Sequence, residues 1–236
     1  MKYEAKDAGG SVPVSTATGS PWVNISQTTA ITNSANVAGC TGCHLITEAE
    51  WMTSAQNVLS VASNWSTSTV GSGYIYSGHN DNAPANALAA DPSDSNGYAG
   101  ETNTGGNQRR TLTLSNGQVI WDLAGKVWEW TSGTTTGGQP GITGEGAFAW
   151  KEWTAVTAPG SLTVPATPAS TGLTGSSSWN IGNGVGQLYS YASDASLRGF
   201  LRSGGWGSGG GAGVLALALH SSPGDADAGL GFRVSR

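Results

Sequence analysis

The chain has 236 residues, of which 37 are glycine and ten are tryptophan, and only 11% are charged. The net charge of −5 gives no basic surface for nucleic acid, and no apolar run is long enough to span a membrane. Low charge combined with abundant glycine, serine and threonine is typical of extracellular β-rich proteins more than of cytosolic helical ones.

The first predicted elements are short strands and turns over residues 1–46, followed by the clearest helix of the sequence. No apolar core follows the charged residues at the start, so they are not a signal peptide, and we expect an upstream segment to be missing. Thr47 is a good N-cap and Glu50 completes a capping box, which places the helix at about 47–63. One helix face carries Trp51, Met52, Ala55, Val58, Leu59 and Ala62.

Beyond this helix, long loops alternate with short strands. Loops rich in glycine, serine and threonine cover 66–108 and 132–178, and an Asn116-Gly117 turn between them predicts a hairpin. Strands are expected at 111–114, 118–121, 127–130, 199–202, 214–219 and 231–235. The pattern predicts an α+β fold with small antiparallel sheets, one firm amphipathic helix and long loops. No composition shift marks a boundary, so we expect a single domain over 1–236.

The two cysteines lie in the sequence Cys40-Thr41-Gly42-Cys43-His44, which has the pattern of a c-type haem attachment site. In that chemistry both thiols form thioether bonds and His44 is an axial ligand. The alternatives are a local disulfide or two free thiols, which we favour because the motif stands without supporting context. A zinc site needs about four ligands, and two cysteines with three distant histidines do not supply them.

Residues suited to acid–base catalysis are few. Glu129 lies between two tryptophans and is expected to be a buried, hydrogen-bonded structural carboxylate. The sequence around His79 predicts a loop, and Arg198, Arg202 and Arg233 are expected to form structural ion pairs. We therefore predict no catalytic residues.

Four segments carry a resemblance to a known family. They are residues 45–51 (LITEAEW), 122–131 (DLAGKVWEWT), 201–206 (LRSGGW) and 231–234 (GFRV). Together, and in this order, they resemble the C-type lectin fold in its formylglycine-generating-enzyme-like, or sulfatase-modifying, branch. The resemblance implies that fold for the chain.

The chemistry of that branch is not expected here. The resemblance implies a copper-assisted oxidation that uses a pair of cysteines late in the chain, whereas both cysteines here lie at positions 40 and 43. Some relatives hold Ca²⁺ with the asparagine of their GNVWEW segment, and here that position is Lys126, a cation where an oxygen ligand is needed. We therefore expect no enzyme activity, no cofactor and no metal, with a structural calcium as the alternative left open.

The last segment, about 199–236, has fixed-looking ends around a mixture of glycine, serine, alanine and aspartate. It resembles the variable region of a variable protein from a diversity-generating retroelement, in which a reverse transcriptase randomises template adenines. The resemblance implies variable, ligand-binding positions at Gly207, Ser208, Gly210, Gly211, Leu215, Ala218, His220, Ser221, Gly224, Asp225, Asp227 and Gly229. It implies scaffold roles for Trp128, Trp130, Trp206 and Phe232.

The predicted strand at 214–219 lies inside this variable region. Alternation places Leu215, Leu217 and Leu219 on one face and smaller apolar residues on the other. One face is expected to be core, while the neighbouring loops carry variable residues to the surface.

These expectations describe a protein that binds a ligand or receptor through a hypervariable surface on a stable lectin-like scaffold. The expected partner is an unknown protein or glycan on a target surface, with no nucleic acid and no membrane span. The expected location is extracellular, on a cell surface or on a virion. The alternatives are a fixed-specificity carbohydrate- or protein-binding module of the same fold and, more remotely, a haem protein through Cys40, Cys43 and His44.

Overall fold

The computed structural model describes residues 1–81, 108–136, 146–153 and 179–236, which form a mixed α+β structure. The helices are α1 (Gln27–Ser34) and α2 (Glu48–Leu59). The strands are β1 (Lys6–Asp7), β2 (Pro13–Val14), β3 (His44–Leu45), β4 (Thr111–Thr113), β5 (Val119–Trp121), β6 (Trp128–Thr135), β7 (Ala149–Lys151), β8 (Leu188–Ser190), β9 (Arg198–Ser203), β10 (Gly213–Ala218), β11 (Leu230–Phe232) and β12 (Val234–Ser235).

The main sheet has six strands in the order β11-β6-β9-β10-β8-β7. The pairs β6–β9, β9–β10 and β7–β8 are antiparallel, whereas β11–β6 and β10–β8 are parallel. Three small antiparallel pairs, β1–β2, β3–β12 and β4–β5, flank this sheet. The predicted hairpin is confirmed as β4–β5. The predicted variable region supplies β9, β10 and β11, so half of the main sheet comes from the end of the chain.

Helix α2 begins as the sequence predicts, with Thr47 as N-cap and Glu50 closing the capping box. It ends at Leu59, earlier than the predicted end near residue 63, and a short 3₁₀ turn follows at Ala62–Asn64. The Asn64 side chain explains the early end, because its amide donates to the backbone carbonyl of Val58 at 2.8 Å. That bond satisfies a carbonyl at the helix terminus without another helical turn.

Helix α1 was not expected, since residues 1–46 were predicted to be strands and turns alone. Its sequence, QTTAITNS, has no continuous apolar stripe. Polar contacts hold it instead. Ser26 caps its N-terminus through Thr29 N–H, and the buried Gln27 amide donates to the carbonyls of Thr131 and Gly133. Tertiary hydrogen bonds of this kind are invisible to a periodicity argument.

Both faces of β10 are buried, so the expectation of a single core face over 214–219 is wrong. Every residue from Val214 to Leu219 is at most 2% exposed. Leu215 packs in the larger hydrophobic cluster with α2, whereas Ala218 packs in the smaller cluster with Leu201 and Phe232. The reason is position, because β10 lies inside the sheet between β9 and β8.

Two buried ion pairs tie the end of the chain to its earlier half. Arg202 of β9 contacts the Glu48 carboxylate at the start of α2, and Arg233 contacts Glu129 of β6 at 2.8 Å. All four residues are at most 7% exposed. The expectation that Glu129, Arg202 and Arg233 serve structure is therefore confirmed. Removing one member of such a pair leaves an uncompensated buried charge.

Within the described ranges, no helix is long and apolar enough to cross a membrane.

Candidate ligand-binding cleft

The turn between β9 and β10 holds its shape through backbone hydrogen bonds. The amide of Trp206 donates to the carbonyl of Lys126 at 3.0 Å, and the amide of Gly209 donates to the carbonyl of Asn80 at 2.7 Å. A short 3₁₀ turn at Gly209–Gly211 completes it. Because main-chain groups donate and accept in both of these bonds, the bonds do not depend on which side chains the turn carries.

This turn forms one wall of a cavity of about 480 Å³, which we call the aromatic cleft. Its volume lies within the range of small-molecule sites, about 300–1,000 Å³. Five of the predicted variable residues line it, together with aromatic, amide and aliphatic side chains from other elements. The lining residues are Trp128, Trp150, Ile181, Gln187, Tyr189, Gly207, Ser208, Gly210, Gly211 and His220.

The floor of the aromatic cleft comes from the edge of the main sheet. Pairing of β7 with β8 sets Trp150 opposite Tyr189, and their rings stack with centroids 4.7 Å apart. Trp128 also stacks with Trp150, with ring centroids 6.1 Å apart, and His220 meets Tyr189 edge-on at 5.4 Å. Trp150 is 41% exposed, and Ile181 on the opposite wall is 42% exposed. The cleft therefore presents apolar surface to solvent.

The polar groups of the cleft are neutral at physiological pH. Among the described residues, no lysine, arginine, aspartate or glutamate lines it. The His220 imidazole is partly desolvated by neighbouring groups, although the residue as a whole is exposed. This desolvation, and then the nearby Arg198 charge, lower the pKa of His220 below its usual value, which favours the uncharged imidazole. Gln187 is oriented by Glu152, whose carboxylate accepts from Gln187 Nε2 at 2.8 Å. The described lining can therefore form hydrogen bonds and apolar contacts with a ligand.

The glycines of the predicted variable region and the residues beside it fall into two groups, according to the space that an added Cβ would find. A Cβ added at Gly207 or Gly224 would meet nothing within 4 Å, and one at Gly211 would make only an ordinary contact with Gln187. By contrast, a Cβ at Gly204 would lie 2.5 Å from Ala212, and one at Gly213 would lie 2.2 Å from the backbone of Val185. The first three are predicted variable positions, and the last two are not.

Gly210 is an intermediate case. A Cβ at this position would lie 2.6 Å from Cγ1 of Ile181, which is the movable end of an exposed side chain. Ile181 also lines a neighbouring cavity of about 520 Å³ that contains Tyr74 and Asn80. A larger residue at position 210 would therefore move a side chain that belongs to both cavities.

Three of the predicted ligand-binding side chains are buried in this structure. Leu215 is 2% exposed and Ala218 is fully buried, so neither side chain can reach a ligand in this structure. Both belong to β10, whose two faces are covered by the core clusters. Ser221 is also buried, at 6% exposure, and its carbonyl accepts the amide of Gly199.

The remaining predicted variable residues lie in the loop before β11. Gly224, Asp225 and Asp227 are exposed, and Gly229 is half-buried. The Asp225 carboxylate accepts from the amide of Ser222 and the Asp227 carboxylate accepts from the amide of Gly229, both at 2.8 Å. These side chains shape their own loop, and they do not line the aromatic cleft.

The predicted scaffold residues are of two kinds. Trp130 and Phe232 are fully buried in the smaller core cluster. Trp128 and Trp206 are half-buried, and each lines a cavity. Trp128 belongs to the aromatic cleft, while Trp206 lines a smaller cavity of about 280 Å³ near Ala228.

Lys126 occupies the position at which a calcium ligand would be needed. Its ammonium lies 3.2 Å from Glu4 and 3.3 Å from Asp122, and Arg110 also contacts Asp122 at 2.7 Å. Burial acts to raise the pKa of Asp122, but Lys126 and Arg110 outweigh it and lower that pKa. Two cations thus already pair with Asp122, while burial raises the pKa of Glu4 to about 8. The described part of the chain contains no group of three or more metal-binding side chains.

The cysteine motif forms a disulfide between Cys40 and Cys43. His44 Nε2 lies 3.0 Å from the Glu50 carboxylate at the start of α2. The disulfide uses both of the sulfur atoms that thioether bonds to haem would require.

No protein-family model matches the sequence, and no curated protein matches it.

Proposed function

We propose that this protein binds ligands through a sequence-variable C-terminal surface, carried on a scaffold of the C-type lectin type. The observation that carries the proposal is the convergence of Gly207, Ser208, Gly210, Gly211 and His220 on the aromatic cleft. The backbone that presents them is held by main-chain hydrogen bonds. A site of this construction changes its specificity with little effect on folding.

The tolerance of the glycine positions supports the same proposal. A Cβ at Gly207 or Gly224 would meet nothing within 4 Å, one at Gly211 would make only an ordinary contact, and all three residues have ordinary backbone angles. Such positions are what a mutagenic retroelement would need, because random replacement there leaves the fold intact. Ligand binding without chemistry, at an extracellular, cell-surface or virion location, is part of the proposal.

A fixed-specificity binding module is the second candidate. It is favoured by the position of Trp150 and Tyr189, which form the floor of the cleft but lie outside the predicted variable region. In that case the aromatic residues alone would determine the ligand, and the glycines would be ordinary turn residues.

Sequencing the coding region for residues 199–236 from many cells or virions of the source population separates the two candidates. The variable-surface proposal expects differences at Gly207, Gly211 and His220, with Phe232 unchanged, and a near-identical non-coding copy beside the gene that carries adenine at the changing positions. Identical sequences in every copy, with no such repeat, would refute it in favour of the fixed module.

A further inference from the structure

The smaller cavity of about 280 Å³, which we call the Trp206 pocket, lies between two parts of the predicted variable region. Trp206 directly precedes the variable turn that starts at Gly207, and Ala228 lies between the predicted variable residues Asp227 and Gly229. Both Trp206 and Ala228 line the pocket. Two segments that the proposed function assigns to ligand contact therefore meet at this one cavity.

The lining of the Trp206 pocket is mainly apolar. Its apolar members are Pro21, Val23, Val127, Trp206 and Ala228, and its polar members are Ser20, His79 and Lys126. The two basic side chains already face carboxylates of the chain itself. Lys126 Nζ lies 3.3 Å from Asp122, and His79 Nε2 lies 3.5 Å from Asp81. An anionic ligand would have to compete with these carboxylates, so the pocket favours an uncharged apolar group.

The Trp206 ring is the feature of the pocket that can recognise a ligand. It is half-buried, and among the described residues it contacts no other aromatic ring, whereas Trp128 and Trp150 stack on each other. A Cβ added at Gly229 would lie 3.9 Å from Cη2 of Trp206. Because residue 229 is glycine, no side chain from this position covers that edge of the indole. Aromatic rings prefer edge-to-face or offset contacts with one another, so this ring suits an aromatic ligand.

The size of the pocket fits a single ring. Sites that hold a whole small-molecule ligand have volumes of about 300–1,000 Å³, whereas an apolar cavity of about 150 Å³ is large enough for benzene. A ligand that places one ring in the pocket leaves the rest of its surface outside, beside the variable residues. Aromatic side chains seated in pockets are frequent anchors of protein–protein contacts.

We propose that the Trp206 pocket is an anchor site that takes one uncharged aromatic side chain of a protein ligand. The variable residues on either side of it would contact the surface around that side chain. Position 229 would control access, because any side chain there lies against the Trp206 indole, whereas a side chain at Gly224 enters open space. This inference rests on the proposed binding function and names the ligand chemistry of its surface.

The test titrates the full chain with toluene, p-cresol and 3-methylindole, the analogues of the phenylalanine, tyrosine and tryptophan side chains. We expect at least one analogue to bind saturably and to shift the NMR resonances of the Trp206 indole and the Val127 methyl groups. Gly229→Leu should lower its affinity at least about fivefold, because the new side chain occupies the space beside the indole. Gly224→Leu, in the same loop, is the matched control and should bind like the parent.

A second blocking variant keeps the test decisive if Gly229→Leu folds poorly. Ala228→Leu changes an exposed residue that lines the pocket, and it should weaken binding as well. Benzoate, which has the shape of toluene with a negative charge, should bind more weakly than toluene. A short uncharged peptide with one phenylalanine should displace the bound analogue.

The inference is overturned if no analogue binds, if both blocking variants bind like the parent, or if benzoate binds more tightly than toluene. Binding of toluene that no phenylalanine peptide displaces would overturn the assignment to a protein ligand. Failure of these tests, with sequence variation still found at residues 207–229 in the source population, would remove the anchor site and leave the variable-surface proposal standing.

Discussion

Gly207 and Gly213 belong to the same glycine-rich segment, yet their surroundings are opposite. Gly207 is exposed, and a Cβ added to it would lie in open space. Gly213 is buried, and a Cβ added to it would clash with the backbone of Val185. Composition alone cannot separate two such residues. The difference teaches that a stretch of glycine can combine a replaceable surface with a close-packed scaffold, and that only the fold shows which is which.

The largest loss of stability is expected from adding a side chain to a glycine that has no space for a Cβ. Gly213→Ala should lower the free energy of unfolding by about 3 kcal/mol or more, because backbone rather than a flexible side chain stands in the way. Gly207→Ala is the matched control, and it should change stability by less than about 0.5 kcal/mol. Urea unfolding measures both. If Gly213→Ala gives too little folded protein to titrate, its soluble yield relative to Gly207→Ala is the readout. Equal unfolding free energies for the two variants would contradict the difference in packing between Gly207 and Gly213.

The second effect concerns the predicted variable positions that the structure buries. Leu215→Ala should cost about 2–5 kcal/mol, as expected for removing a large core side chain. His220→Ala, at an exposed position of the same predicted set, should cost far less. Thermal and urea unfolding of the two variants measure the difference. A Leu215→Ala protein as stable as the parent would show that β10 is less tightly packed than described.

The third effect is smaller and specific to Gly210. Gly210→Ala should cost about 1 kcal/mol, because the new methyl group must displace the Ile181 side chain. In the Ile181→Ala background the same substitution should cost nearly nothing, so the two changes are coupled. The methyl NMR resonances of Ile181 should move in Gly210→Ala and stay unchanged in Gly207→Ala. Additive costs with unmoved resonances would contradict the contact.

The smallest effect is a pH dependence from His220. Its pKa is lowered in the folded protein, so its contribution to stability is present above the ordinary value of 6.5 and is lost as the pH falls through the lowered pKa. His220→Asn should remove this contribution. Unfolding free energies at pH 7.5 and pH 5, compared between parent and variant, isolate it. A variant that loses as much stability as the parent on acidification would contradict this assignment.

Much of the local structure follows from the sequence, because it depends on neighbouring residues. The Thr47–Glu50 capping box and the Asn116-Gly117 hairpin are confirmed in this way. Helix α1 could not be found by periodicity, since the Gln27 side chain holds it through carbonyls of β6. The one feature of the sequence that indicates this helix is the N-cap residue Ser26.

Only the residues of the candidate site that are close together in sequence could be predicted. Composition and family resemblance selected the turn residues Gly207, Ser208, Gly210 and Gly211, which line the cleft. They could not supply Trp150, because it reaches Tyr189 only through the β7–β8 pairing of segments distant in sequence. Nor could they exclude Leu215 and Ala218, whose burial depends on the position of β10 within the sheet.

A complete substitution scan of residues 199–236, scored by the amount of folded protein displayed on cells after a heat challenge, tests the central claim most directly. The account predicts that Gly207 and Gly224 accept most residues, while Gly204 and Gly213 accept almost none. Similar tolerance at both sets of positions, or a fold that fails when Gly207 is replaced, would contradict a replaceable surface on a fixed scaffold.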